Sequence, residues 1–104
     1  MTTDAKPIHP GEVLFEVYMK PAAPPLTVEM LSQTLRMPLP YVKALINGQR
    51  AVTPSLALRL GVICRTTAEY WLALQRTYDA EVRQTKRAAR DMDKRIRHGH
   101  SAAA

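Results

Sequence analysis

The chain has 104 residues, which gives room for one compact domain and one core. With 46% hydrophobic residues and no apolar run near the roughly 20 residues of a membrane helix, a globular protein with no membrane partner is expected. A single cysteine, Cys64, excludes an intrachain disulfide, and Met1 to Pro7 lack the apolar stretch of a secretory signal, so a cytoplasmic location is expected. The net charge of +6 points to a polyanionic partner, yet it is unevenly placed. Arg83, Lys86, Arg87, Arg90, Lys94, Arg95 and Arg97 face only Asp91 and Asp93 over one stretch, and the remainder of the chain is close to neutral.

Residues 1–8 show no periodicity and read as a loose N-terminal arm. After His9, Pro10 suits the first helical position and Glu12 the first turn. Val13, Leu14, Val17 and Tyr18 recur at helical spacing and are expected on the core side. Pro21, Pro24 and Pro25 end that helix. Thr27 then caps a helix over Val28 to Leu35, Arg36-Met37-Pro38 interrupts, and a second short helix runs from about Leu39 to Asn47. Pro38 and Pro40 fall at its first turn, and Gly48 closes it in the left-handed conformation.

Thr53 and Pro54 start the next helix, with Leu56, Leu60 and Ile63 as its inner stripe. Thr66 to Glu69 has capping-box spacing, with Thr66 as the cap, and nothing breaks the helical pattern from there to Gly99. Along this last helix Trp71, Leu74, Tyr78, Val82, Ala89, Met92 and Ile96 form an apolar seam, a candidate dimer interface. Trp71 and Tyr78 read as core or dimer surface rather than as a cofactor or stacking site. The expected fold is all-α, five helices with a long last one. It divides into the arm 1–8, a helix-turn-helix domain 9–82 and a basic helical extension with tail, 83–104.

Leu31, Leu35, Met37, Val42 and Leu45 fall at the offsets that bury two short helices against each other, with Ser32 small at their crossing. Such a hairpin leaves the outer face of its second helix free for a DNA major groove. The outward positions are Pro38, Leu39, Pro40, Tyr41, Lys43, Ala44 and Asn47. Only Lys43, Tyr41 and Asn47 bring hydrogen-bonding groups, so direct base readout is expected to be modest. Leu39 and Ala44 suit thymine methyls, and shape or water-mediated readout supplies the rest.

Thr27, Gln33, Arg36, Gln49 and Arg50 are candidate phosphate contacts. Each has a plain alternative: Thr27 as a cap, Gln33 solvated, Arg50 paired with a carboxylate. Tyr41 has one too, its ring packed on the domain. Arg36 stands where such turns usually place a glycine, so a strained or reshaped turn is expected.

Enzyme chemistry finds no footing. The chain has no paired carboxylates, no glycine-rich phosphate loop and no Cys/His pair, so no catalytic residue and no cofactor are expected. Cys64 reads as a small buried hydrophobe. His9 reads as a helix-start residue, and His98 and His100 lack a third metal ligand.

Four segments taken together carry a family resemblance: His9-Pro10-Gly11-Glu12-Val13-Leu14, Asn47-Gly48-Gln49-Arg50, Ala57-Leu58-Arg59-Leu60, and Tyr70-Trp71-Leu72-Ala73-Leu74-Gln75 with Tyr78-Asp79. In order and spacing the chain resembles the HigA-type antitoxins of type II toxin–antitoxin systems, within the helix-turn-helix class that includes the phage repressors. The likeness covers roughly residues 8–82, and the run from Trp71 to Asp79 is its most specific part. It implies a homodimer that binds a palindromic operator in its own promoter and sequesters a RelE-type, mRNA-cleaving toxin. Two other readings stand beside it: a toxin-binding protein without sequence-specific DNA binding, and a stand-alone regulator.

The basic extension admits three compatible readings. It is a solvated helix, a continuation of the dimer seam through Ala89, Met92 and Ile96, or a nucleic-acid arm whose affinity falls steeply with salt.

Overall fold

A computed structural model describes the backbone of residues 6–103 and the side chains of residues 6–96. The described residues form helices and no strand. Helix α1 begins at Pro10–Val13 and continues without a break as a π-helical stretch, Leu14–Met19; α2 is Val28–Leu35, α3 Leu39–Ile46, α4 Pro54–Cys64 and α5 Ala68–Ala103. This is the expected all-helical, five-helix fold with a long C-terminal helix. Residues 1–5 of the expected arm, and the side chains of Arg97, His98 and His100, lie outside the described residues.

Two corrections concern phase. In the π-helical stretch backbone bonds run i to i+5, so Leu14 and Met19 share a side and both are fully buried. Val17, expected on the core side by ordinary helical spacing, is turned outward and is 55% exposed. The second correction is the cap of α5. Thr67 Oγ1, not Thr66 Oγ1, accepts the N–H of Tyr70 at 3.1 Å. The Thr66 hydroxyl instead accepts from the Trp71 indole Nε1 at 2.8 Å, which satisfies the one polar atom of a fully buried ring.

The other helix starts follow the sequence. Thr27 Oγ1 accepts the Met30 N–H at 3.1 Å, and Thr53 Oγ1 accepts the Leu56 N–H at 3.2 Å. Pro10, Pro40 and Pro54 each fall in a first turn, where a missing N–H costs nothing. The core is formed by Leu14, Met19, Leu31, Leu35, Val42, Leu45, Val52, Leu56, Ala57, Leu60 and Trp71. Ile63 of the expected α4 stripe is half-buried.

Helix α1 crosses the end of α3 at Gly11. A Cβ there would sit 2.8 Å from the Leu45 carbonyl carbon and 3.0 Å from the Ile46 Cα, so only glycine allows the approach. Helix α5 packs its first half on α4 and α1, while every described side chain from Arg83 to Arg95 is exposed. No helix among the described residues is long and apolar enough to cross a membrane.

Candidate nucleic-acid interface

Helices α2 and α3 bury Leu31, Leu35, Val42 and Leu45 between them, with Met37 half-buried in the turn. The turn closes on Arg36, at φ 56° and ψ 44°. The Arg36 N–H donates to the Gln33 carbonyl at 3.2 Å and the Met37 N–H to the Ser32 carbonyl at 3.1 Å. Ser32 Oγ returns a bond to the Met37 carbonyl at 2.6 Å. Arginine here holds the left-handed conformation that glycine would take without penalty, at a cost of about 1–2 kcal/mol. The turn keeps its usual shape and carries the strain.

A bond from outside the motif reinforces it. Arg59 on α4 donates from Nη1 to the Leu35 carbonyl at 2.8 Å, satisfying one of the orphan carbonyls at the end of α2. Arg59 was not expected in this role. Its signal in the sequence is its place in the Ala57-Leu58-Arg59-Leu60 segment, between the core positions Leu56 and Leu60.

The closed turn presents the outer face of α3. Thr27, Gln33, Arg36, Pro38, Pro40, Lys43, Asn47, Gln49 and Arg50 are all exposed. Leu39, Tyr41 and Ala44 are half-buried, which limits what they offer a base edge. The Tyr41 ring packs against the core cluster and receives the Arg50 guanidinium 4.7 Å from its centroid. Arg50 therefore rests on the surface of α3 itself, with its charge on that side.

The loop after α3 is built from motif residues whose work is structural. Gly48, at φ 79°, lets the chain leave α3 against the His9 ring, and the Gln49 N–H donates back to the Ala44 carbonyl at 2.8 Å. His9 Nδ1 accepts the Gly11 N–H at 2.9 Å, capping α1. The same imidazole hydrogen-bonds the Arg50 backbone and meets Tyr78 edge-on at 4.8 Å between centroids. Burial lowers its pKa below the usual 6.5, against opposing pulls from the Arg50 backbone and the Asp79 carboxylate.

Farther along, Gln75 Oε1 accepts the Val52 N–H at 2.8 Å while its Nε2 donates to Asp79 Oδ1 at 3.0 Å. His9, Gln75, Tyr78 and Asp79 thus fasten the loop that carries Gln49 and Arg50. Gln75 was missed as a positioning residue. Its signal was a polar residue directly after the apolar run Trp71 to Leu74, one turn from Trp71 on the same face.

The seam on α5 divides. Trp71 is fully buried within the chain, so it belongs to the core and is withdrawn from the dimer seam. Leu74, Tyr78 and Val82 are half-buried; Ala89, Met92 and Ile96 are exposed, the last two at 58% and 57%. Cys64 is half-buried and burial pushes its thiol up to about 11, which leaves no nucleophilic thiolate at neutral pH. Among the described residues no group of three or more His, Cys, Asp or Glu is gathered as a metal site would require.

No family model matches the chain. An uncharacterised helix-turn-helix transcriptional regulator of Escherichia coli, YbaQ, is 36% identical over 74 residues, covering 71% of this chain. The match spans 64% of that relative, a little under two thirds of its length. A HigA-family addiction-module antidote protein from Coxiella burnetii superposes with a TM-score of 0.72 and 36% identity, over 86% of this chain and 95% of that one. The Pseudomonas aeruginosa antitoxin HigA, solved with the higBA promoter, gives a TM-score of 0.70 and 31% identity over 89% and 94% of the two chains. With this helix order, turn and motif set, the chain belongs to the HigA family of antitoxins and helix-turn-helix transcriptional regulators, which are not enzymes.

Proposed function

We propose that the protein is a cytoplasmic antitoxin that represses its own promoter. A homodimer sets two copies of α3 in successive major grooves of an operator, about 34 Å apart. The observation that carries this reading is the exposed outer face of α3, flanked by Arg36 in the turn and by Gln49 and Arg50 in the loop. Lys43 and Asn47 reach base edges; Thr27, Gln33, Arg36, Gln49 and Arg50 fix the register through phosphates. That the related P. aeruginosa HigA was solved with the higBA promoter supports promoter binding by this fold. The partner copy packs on Leu74, Tyr78, Val82, Ala89, Met92 and Ile96, and a RelE-type toxin is the protein that the antitoxin neutralises.

A second reading is a toxin-binding protein without sequence-specific DNA binding. It is favoured by the scarcity of hydrogen-bonding groups on α3, where prolines stand at 38 and 40 and Leu39 and Ala44 offer only carbon. Fluorescence anisotropy separates the two readings, using the purified protein with its own promoter DNA and a scrambled duplex across a salt series. Repression requires tighter promoter binding that persists as salt rises and weakens in Lys43→Ala. Equal affinity for both duplexes overturns the repressor reading. Co-purification with the product of a neighbouring toxin gene, retained in Lys43→Ala, then supports the second.

A further inference from the structure

Beyond the fastened loop, α5 carries a pattern that neither the core nor the reading helix uses. At about 100° per residue, Arg83, Lys86, Arg87, Arg90 and Lys94 fall within about 100° of arc, on one stripe about 16 Å long. All five are exposed. Asp91 and Asp93 lie outside the stripe, one on each side of it. The apolar positions Val82, Ala89, Met92 and Ile96 centre about 130° around the helix from the middle of the stripe. A partner packed on that apolar face leaves the basic stripe pointing outward.

The position of the stripe follows from the bonds that fasten the loop. Gln75 holds Val52, and Tyr78 meets the His9 ring that packs on Gly48 and bonds the Arg50 backbone. Helix α5 therefore leaves the domain beside the loop that bears Gln49 and Arg50, and the stripe begins one turn after Asp79. The reading surface itself offers only Arg36, Lys43 and Arg50 as cations, in a domain that is otherwise close to neutral. Most of the chain's positive potential is thus on α5.

We infer that this stripe is a second nucleic-acid surface, which binds the phosphate backbone of duplex DNA flanking the half-site under α3. It rests on the reading of the protein as DNA-binding and adds affinity and salt dependence without sequence discrimination. Its five cations match a polyanion, and each neutralised phosphate adds about 0.9 to the slope of log affinity against log salt.

The test compares wild type with a variant carrying Arg83→Gln, Lys86→Gln, Arg87→Gln, Arg90→Gln and Lys94→Gln, on promoter and scrambled duplexes, with helicity checked by circular dichroism. The slope is expected to fall by about two or more per protomer, with the preference for promoter over scrambled DNA kept. Arg95→Gln, a cation off the stripe, is expected to change the slope by well under 1. An unchanged slope in the fivefold variant overturns the inference and leaves the repressor reading standing. A fall in slope with no promoter preference in wild type sinks the repressor reading and keeps the inference; absence of all DNA binding sinks both. Should the fivefold variant misfold, the pair Arg90→Gln and Lys94→Gln carries the same test. Stripe-dependent binding to anionic phosphatidylglycerol vesicles, with the DNA slope unmoved, assigns the stripe to a membrane and overturns the inference.

Discussion

Arg59 and Leu35 are joined across helices by a 2.8 Å bond from guanidinium to carbonyl, so α4 holds the end of α2 at the point where the reading turn begins. Removing the guanidinium leaves a part-buried carbonyl without that partner. Arg59→Ala is expected to lower stability by about 1–2 kcal/mol in urea denaturation, with partial recovery in Arg59→Lys. A loss below about 0.5 kcal/mol would show that water replaces the bond.

Arg36 separates stability from DNA contact. Its left-handed backbone costs about 1–2 kcal/mol that glycine avoids, while glycine adds about 0.4–1 kcal/mol of unfolded-state entropy. Arg36→Gly is therefore expected to be neutral or up to about 1.6 kcal/mol more stable. Its DNA affinity is expected to fall on all sequences alike, with a salt slope smaller by about 1. Stability gained with no change in the salt slope removes Arg36 from the phosphate contacts.

What the sequence made legible was local chemistry. Thr27 and Thr53 as caps, Pro10, Pro40 and Pro54 in first turns and Gly48 at positive φ all rest on rules that act within four residues, and all hold, while Pro38, expected in the first turn, is the N-cap of α3 instead. Misplacements came where packing overruled a period or a spacing. The π-helical stretch moved Met19 inward and Val17 out, and the buried indole of Trp71 took the Thr66 hydroxyl and passed the cap to Thr67. The bonds from Arg59 to Leu35 and from Val52 to Gln75 join positions 24 and 23 residues apart, a separation that no local pattern encodes. At the interface the exposure of Pro38, Pro40, Lys43 and Asn47 was legible from helix geometry, but the half-burial of Leu39, Tyr41 and Ala44 and the stacking of Arg50 on Tyr41 were not, since they depend on packing and on the loop's path.

Gly11 is the tightest steric point in the fold. In Gly11→Ala the new methyl meets backbone of α3, which cannot swing aside as a side chain would. Overpacking of this kind costs about 1–3 kcal/mol, and the upper end is expected here. Gly48→Ala, whose Cβ would approach His9 at no less than 3.5 Å, should cost only the positive-φ penalty of about 1–2 kcal/mol. Thermal melts of both variants rank the two effects, and the reverse order would move the close approach from α1 to the loop.

Trp71 contributes through volume and through one bond. Trp71→Ala is expected to cost about 3–5 kcal/mol as a core truncation. Thr66→Val keeps the shape but leaves the indole N–H without its acceptor, for about 1–3 kcal/mol. If Trp71→Ala cost well under 1 kcal/mol, the ring would not be the centre of the core.

His9 should make the fold sensitive to mild acid. In the folded chain its Nδ1 accepts the Gly11 N–H, a bond that protonation breaks, and burial holds its pKa below the usual 6.5. The unfolded chain therefore takes up a proton first as pH falls. Stability is full above about pH 6.5, declines as pH drops toward the lowered folded value, and levels off below it. The groups around the ring oppose each other in this: Asp79 and the Arg50 backbone favour the charged form, and desolvation outweighs them. Urea midpoints measured between about pH 5 and pH 8 should show this slope in wild type and lose it in His9→Asn, which keeps a capping acceptor but does not titrate. Because the same ring braces Gly48 and Arg50, DNA affinity should weaken over the same pH window in wild type and not in His9→Asn. A flat stability profile in wild type would mean that the imidazole is hydrated and does not brace the loop.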